Sequence, residues 1–186
     1  SGSGGAINIF TYGGKLKLEN VDVSYNYAAQ HGGGIYGLGI ELVNTRVQNN
    51  ICGQDGGGIH IIARNANNNG YSNSISGNSI ISHNTANQNG GGISSRFTLT
   101  INGSQISRNF AVKNGGGLYG LESTINITNN SVIEYNYADG RGGGFYFGRQ
   151  GNTSGFTKCV CTLSNSSVTN NAALEFGGGG QVGMIS

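Results

Sequence analysis

The sequence predicts an all-β fold, a parallel β-helix solenoid of about six to seven rungs forming a single domain over residues 1–186. Three observations predict it: a recurring glycine triplet, asparagines at fixed distances before it, and fixed apolar columns between the two. The triplets begin at Gly32, Gly56, Gly90, Gly115, Gly142 and Gly177, and a variant, Gly4-Gly5-Ala6, stands at the start. Six residues before each of the last six stands an asparagine: Asn26, Asn50, Asn84, Asn109, Asn136 and Asn171. Six residues earlier again come Asn20, Asn44, Asn78, Gly103, Asn130 and Asn165. All variation in repeat length falls between a triplet and the next asparagine, over 12 to 23 residues. Each repeat therefore has two rigid sides and one tolerant connection.

The columns between these anchors describe the rigid sides. Three residues before the second asparagine stand Val23, Val47, Ile81, Ile106, Ile133 and Val168, all β-branched. Two residues after it stand Ala28, Cys52, Ala86, Ala111, Ala138 and Ala173, all small. Three residues after the first glycine stand Ile7, Ile35, Ile59, Ile93, Leu118 and Phe145. Short apolar steps of period two between Asn and Gly corners predict strands. A unit this short cannot bury its own apolar residues, so it stacks on its neighbours and like residues form ladders. Both asparagine columns are expected at corners, with amides bonding from rung to rung, and the glycines where φ is positive or backbones approach closely. The absence of proline agrees, because inner rungs use every backbone donor.

Composition narrows the function. Of 186 residues only 10% are charged and the formal net charge is +2, which provides no electrostatic footprint for nucleic acid. No apolar run approaches the ~20 residues that span a bilayer, and the first residues lack a signal-peptide pattern. Neither terminus shows a capping element, so the expected partners are neighbouring β-helix segments or subunits joined end to end, the chain being a fragment of a longer one.

Gly4-Gly5-Ala6-Ile7 matches the motif G-G-A-I, and Gly32-Gly33-Gly34-Ile35, Gly56-Gly57-Gly58-Ile59 and Gly90-Gly91-Gly92-Ile93 match it with Gly for Ala. The motif F-x-x-N is matched in its Asn, as in Val23-Ser24-Tyr25-Asn26 and Ile106-Ser107-Arg108-Asn109, with the Phe replaced throughout. On these residues nearly the whole chain resembles the polymorphic membrane protein repeats of chlamydiae and the wider set of pectin-lyase-like surface domains. That resemblance implies a right-handed β-helix, secreted or on a cell surface, commonly in adhesion.

The candidate sites are few. Enzymes of this architecture that cleave acidic polysaccharides gather carboxylates on one face. Glu19, Asp22, Glu41, Asp55, Glu122, Glu134, Asp139 and Glu175 share no column on adjacent rungs, so no catalytic residue is assigned. His31, His60 and His83 occupy three columns, so a three-histidine metal site is not expected and no cofactor is called for. Cys52 falls in the alanine column, and Cys159 and Cys161 are too close in one strand for an unstrained disulfide. One position past the isoleucine column stand Tyr36, His60, Ser94, Tyr119 and Tyr146, expected to face outward as a binding stripe for sugar rings or a protein. Sequons at Asn102, Asn126, Asn129, Asn152 and Asn165 fall in the variable connection or at its closing corner, where glycans leave the stack intact. The expected function is an extracellular or cell-surface structural module, glycosylated and part of a larger fibre or surface assembly. An adhesin or carbohydrate-binding domain is the alternative, and a polysaccharide lyase or hydrolase the second.

Overall fold

In the computed structural model, which describes residues 2–9, 14–62, 71–148 and 159–182, each rung contributes one short strand to each of four parallel sheets. The first sheet stacks Ile7–Ile9, Ile35–Gly37, Ile59–Ile61, Ile93–Ser95, Leu118–Leu121, Phe145–Gly148 and Gly180–Val182. The second opens with Leu16–Glu19 and ends with Val160–Leu163; the third runs from Asp22–Ser24 to Ser167–Thr169; the fourth from Tyr27–Ala28 to Ala172–Ala173. Neighbours in every sheet are successive turns of the chain, which is a parallel β-helix. At ~4.8 Å per rung, six rungs make a rod roughly 29 Å long.

The register matches the columns expected from the repeat. Val23, Val47, Ile81, Ile106, Ile133 and Val168 pair in sequence through the third sheet. The small residues from Ala28 to Ala173 do the same in the fourth. Inward residues of the first three sheets form one continuous apolar core, with Ile35, Val47, Ile59, Ile81, Ile93 and Ile106 fully enclosed. The alanine column makes a separate small cluster, because a two-residue strand between two corners leaves room for little more than a methyl group.

Repeat length varies where expected, between the first and second sheets. Ile35–Gly37 passes to Ile40–Val43 almost directly, whereas Ile59–Ile61 reaches Asn73–Ser76 and Phe145–Gly148 reaches Val160–Leu163 over long connections. Residues 63–70 and 149–158, the bulk of those insertions, lie outside the described residues.

The two asparagine columns differ. Asn20, Asn44, Asn78, Asn130 and Asn165 are exposed and have φ between 46° and 62°, a conformation that Gly103 shares at 55°. Asn44 Nδ2 donates to Asn20 Oδ1, but this column is defined by backbone conformation, which corrects the expectation of an amide ladder throughout. The second column is that ladder. Each of Asn26, Asn50, Asn84, Asn109 and Asn136 donates its backbone N–H and its Nδ2 to the Oδ1 of the next rung's asparagine, at 2.9–3.0 Å. From Asn50 onward Nδ2 also donates to the carbonyl of the preceding rung's core residue, such as Val47 for Asn84. A buried primary amide thereby uses both donors and both acceptor sites, the condition for polar groups to be tolerated in a core.

The glycine triplet serves this ladder. At Gly56, φ is +75° and a Cβ would lie 2.4 Å from the Ile59 carbonyl oxygen, so the corner excludes a side chain. At Gly58 a Cβ would stand 2.9 Å from Asn84 Nδ2 and 2.8 Å from the Gly92 oxygen. The third glycine is the floor on which the asparagine amide lies.

Candidate functional site

The corner that precedes the first sheet assembles the residues of interest. Immediately before the first six triplets, the variant included, stand Ser3, His31, Asp55, Asn89, Asn114 and Arg141, and they form a third polar ladder, while Phe176 precedes the last. The backbone N–H of each residue from His31 to Arg141 is accepted by the side chain one rung earlier: Ser3 Oγ, His31 Nδ1, Asp55 Oδ1, Asn89 Oδ1 and Asn114 Oδ1, at 3.0–3.4 Å. Asp55 Oδ1 also accepts from Asn89 Nδ2 at 2.9 Å. Four different residue types satisfy the one requirement, an acceptor at the right reach, so no single-letter repeat betrays this column in the sequence.

Because the chain turns sharply at the first glycine, this ladder lies against the outward column of the first sheet. The His31 ring stacks on His60 with centroids 4.5 Å apart, and Tyr36 stacks on His60 at 5.6 Å and 4°. His31 Nδ1 lies 3.8 Å from Asp55 Oδ2. One donor atom from each of His31, Asp55 and His60 falls within 4.8 Å of the others, and no other such group of three His, Cys, Asp or Glu forms among the described residues. Comparing columns one at a time misses this cluster, since its members come from two columns that only the corner brings together.

Burial sets the charge state of the site. Desolvation holds His60 well below the usual imidazole range, with His31 and Arg96 pushing the same way. His31 is also lowered, by desolvation first, with Asp55 opposing and Arg96 adding. Both rings are neutral at pH 7, so His31 and Asp55 do not form an ion pair there. His60 is 3% exposed and its Nδ1 has no hydrogen-bond partner; Ser94 Oγ, the next residue in the column, has none either.

The expected binding stripe is present as a column but is not open. Tyr36, His60, Ser94, Tyr119 and Tyr146 are in register across the first sheet. Tyr36 is half-buried, whereas His60, Tyr119 and Tyr146 are buried, which corrects their expected exposure. Tyr119 and Tyr146 stack at 5.9 Å and 5° and pack with Leu121 as a small outer apolar cluster, and burial pushes the Tyr119 phenol above its usual range. Parallel rungs place like rings one above the next, and this stacking closes the faces that a ligand would need.

The exposed aromatic surface lies instead on the fourth sheet. Tyr27, Ile51, Thr85, Phe110 and Tyr137 form its outward column, with Tyr27 67% and Tyr137 37% exposed. Phe110 stacks on Tyr137 at 5.8 Å, and beside them the Arg108 guanidinium lies over the Tyr135 ring. The alternation of outward residues around the alanine column was the available signal for this stripe.

Of the sequons, Asn102, Asn129 and Asn165 are exposed, Asn126 is half-buried on the second sheet, and Asn152 lies outside the described residues. Asn129 Nδ2 donates to Asn102 Oδ1 at 2.9 Å, so these two sites are neighbours on adjacent rungs. Cys52, Cys159 and Cys161 are free thiols, and burial pushes Cys52 up to about 12 and Cys161 to about 11. No helix among the described residues is long and apolar enough to cross a membrane.

Comparison with known proteins found no family model, no curated protein and no solved structure that matches this chain.

Proposed function

We propose that the chain is a structural β-helix module of an extracellular or cell-surface assembly, stacked end to end with further rungs and carrying glycans at its exposed sequons. The observation that carries this reading is the polarity of the asparagine ladder. Every Oδ1 from Asn50 to Asn171 accepts from the asparagine of the lower-numbered rung, so the two ends of the rod are complementary rather than alike. In the first rung the Asn26 Nδ2 donates to Ser24 O as well as to Asn50 Oδ1. Core columns enclosed in the middle are only partly covered at the ends, at Ile7, Leu16 and Leu18 and again at Val168. At the first rung a cavity of about 370 Å³ is lined by Gly4, Gly5, Tyr27 and Ala28, positions that in inner rungs face the preceding rung. Complementary ends give head-to-tail contacts, which propagate as a rod rather than closing as a dimer. The chain's recurring residues act in stacking, which supports a non-catalytic role.

Electron microscopy and intact mass of native material test this reading. Continuous fibres with hexose-rich mass at Asn102, Asn129 or Asn165 are the expected result; discrete, unglycosylated monomers would refute it.

A second reading, a carbohydrate-binding or adhesin surface, is favoured by the exposed aromatic column of the fourth sheet. Binding to a defined glycan that Tyr27→Ala and Tyr137→Ala abolish, with Tyr119→Ala folded and still binding, would establish it.

A further inference from the structure

We propose that His31, Asp55 and His60 form a binding site for a divalent transition-metal ion of the zinc class, clasping the second and third rungs together from outside the core. Each residue offers a donor atom within 4.8 Å of the other two. A tetrahedral ion with bonds near 2.1 Å wants its donors about 3.4 Å apart, which asks for side-chain shifts of about an ångström.

The surroundings are arranged for it. Asn89 holds Asp55 Oδ1 with both its backbone N–H and its Nδ2, orienting the carboxylate and leaving Oδ2 on the side of His31. Carboxylate ligands are commonly fixed in this way by a neighbour outside the coordination sphere. The buried, unpartnered His60 Nδ1 is a polar atom that the protein itself leaves unsatisfied. Two imidazoles and one carboxylate suit Zn²⁺, Co²⁺, Ni²⁺ or Cu²⁺ rather than Ca²⁺ or Mg²⁺, and three protein ligands leave a fourth position for water or a further donor.

The test is titration of tag-free protein with Co²⁺, followed by its visible absorption, and with Zn²⁺, followed by the thermal midpoint. The expected result is one equivalent bound, a raised midpoint with Zn²⁺ and none with Ca²⁺ or Mg²⁺. His31→Ala and Asp55→Asn should each weaken binding at least about tenfold. Because His60 is buried, His60→Ala can fail to fold, so His31→Ala and Asp55→Asn carry the decision, with circular dichroism as the check on folding. His83→Ala and Cys159→Ser/Cys161→Ser should bind as the parent does. Absence of binding up to about 1 mM metal, affinity unchanged in His31→Ala and Asp55→Asn, or affinity lost with the cysteines would each overturn the proposal.

Discussion

The two asparagine columns look alike in the sequence and differ in what they do. In one, Asn20 to Asn165, the residue is exposed and its backbone is left-handed, a conformation that Asn tolerates and Gly adopts freely, as Gly103 does. In the other, Asn50 to Asn136, the residue is buried and its amide is saturated with hydrogen bonds to the rungs on both sides. The same side chain thus serves once for its backbone tolerance and once for its four hydrogen-bonding positions. The buried column also holds strain in place. The residue before each ladder asparagine, Tyr25, Asn49, His83, Arg108, Tyr135 and Asn170, has φ between 52° and 59°. Tyr and Arg have no local preference for that region, so the neighbouring ladder over-determines it.

Substitutions can break or sharpen this contrast. The largest effect is expected from Asn109→Ala, which leaves the backbone N–H and Nδ2 of Asn84, the Ile81 carbonyl and Asn136 Oδ1's neighbourhood in the core without the amide that joins them. Unpaired buried polar groups cost about 1–3 kcal/mol each, so a loss of at least about 3 kcal/mol should appear as a much lower urea midpoint. Gly92→Ala acts on the same ladder sterically, since its Cβ would lie 2.6 Å from the Gly117 oxygen and 2.9 Å from Asn109 Nδ2. A loss of about 1–3 kcal/mol is expected for such overpacking. In the exposed column, Asn78→Ala should cost only about 1 kcal/mol, the penalty of a Cβ in the left-handed region, and Asn78→Gly should be close to neutral. Equal losses at Asn78 and Asn109 would show that the two columns do not differ as described.

The third polar ladder adds a pH dependence that asparagines cannot have. His31 and His60 are held below their ordinary 6.5 in the folded state, so the unfolded chain binds more protons as the medium acidifies. Their stabilising contribution is complete above that pH and is lost as pH falls below it toward their folded values. His31 faces Asp55, His60 and Arg96, of which Asp55 partly offsets the effect for His31. A fall in the thermal midpoint below about pH 6.5, reduced in His31→Gln, is the expected result. A midpoint flat through that range would show that the histidines are free to charge in place.

The architecture was legible because it is periodic. Val23, Ile7 and Ala28 each begin a column of like residues, and stacking in register is the one arrangement that buries all three columns. The burial of Tyr119 and Tyr146 was not legible, since alternation marks the outward face of a strand but says nothing of what covers that face. The ladder from Ser3 to Asn114 was hidden for another reason: its members share an acceptor position rather than a residue type.

The sequence by itself determined the repeat, the phase of its strands and the residues of the core, because those follow from local spacing and the burial of apolar side chains. Only the tertiary structure decided which asparagines are buried, which aromatic column is open, and that His31 and Asp55 meet His60. Those depend on how tightly the chain turns at each bare glycine, which sets distances between columns that periodicity leaves independent.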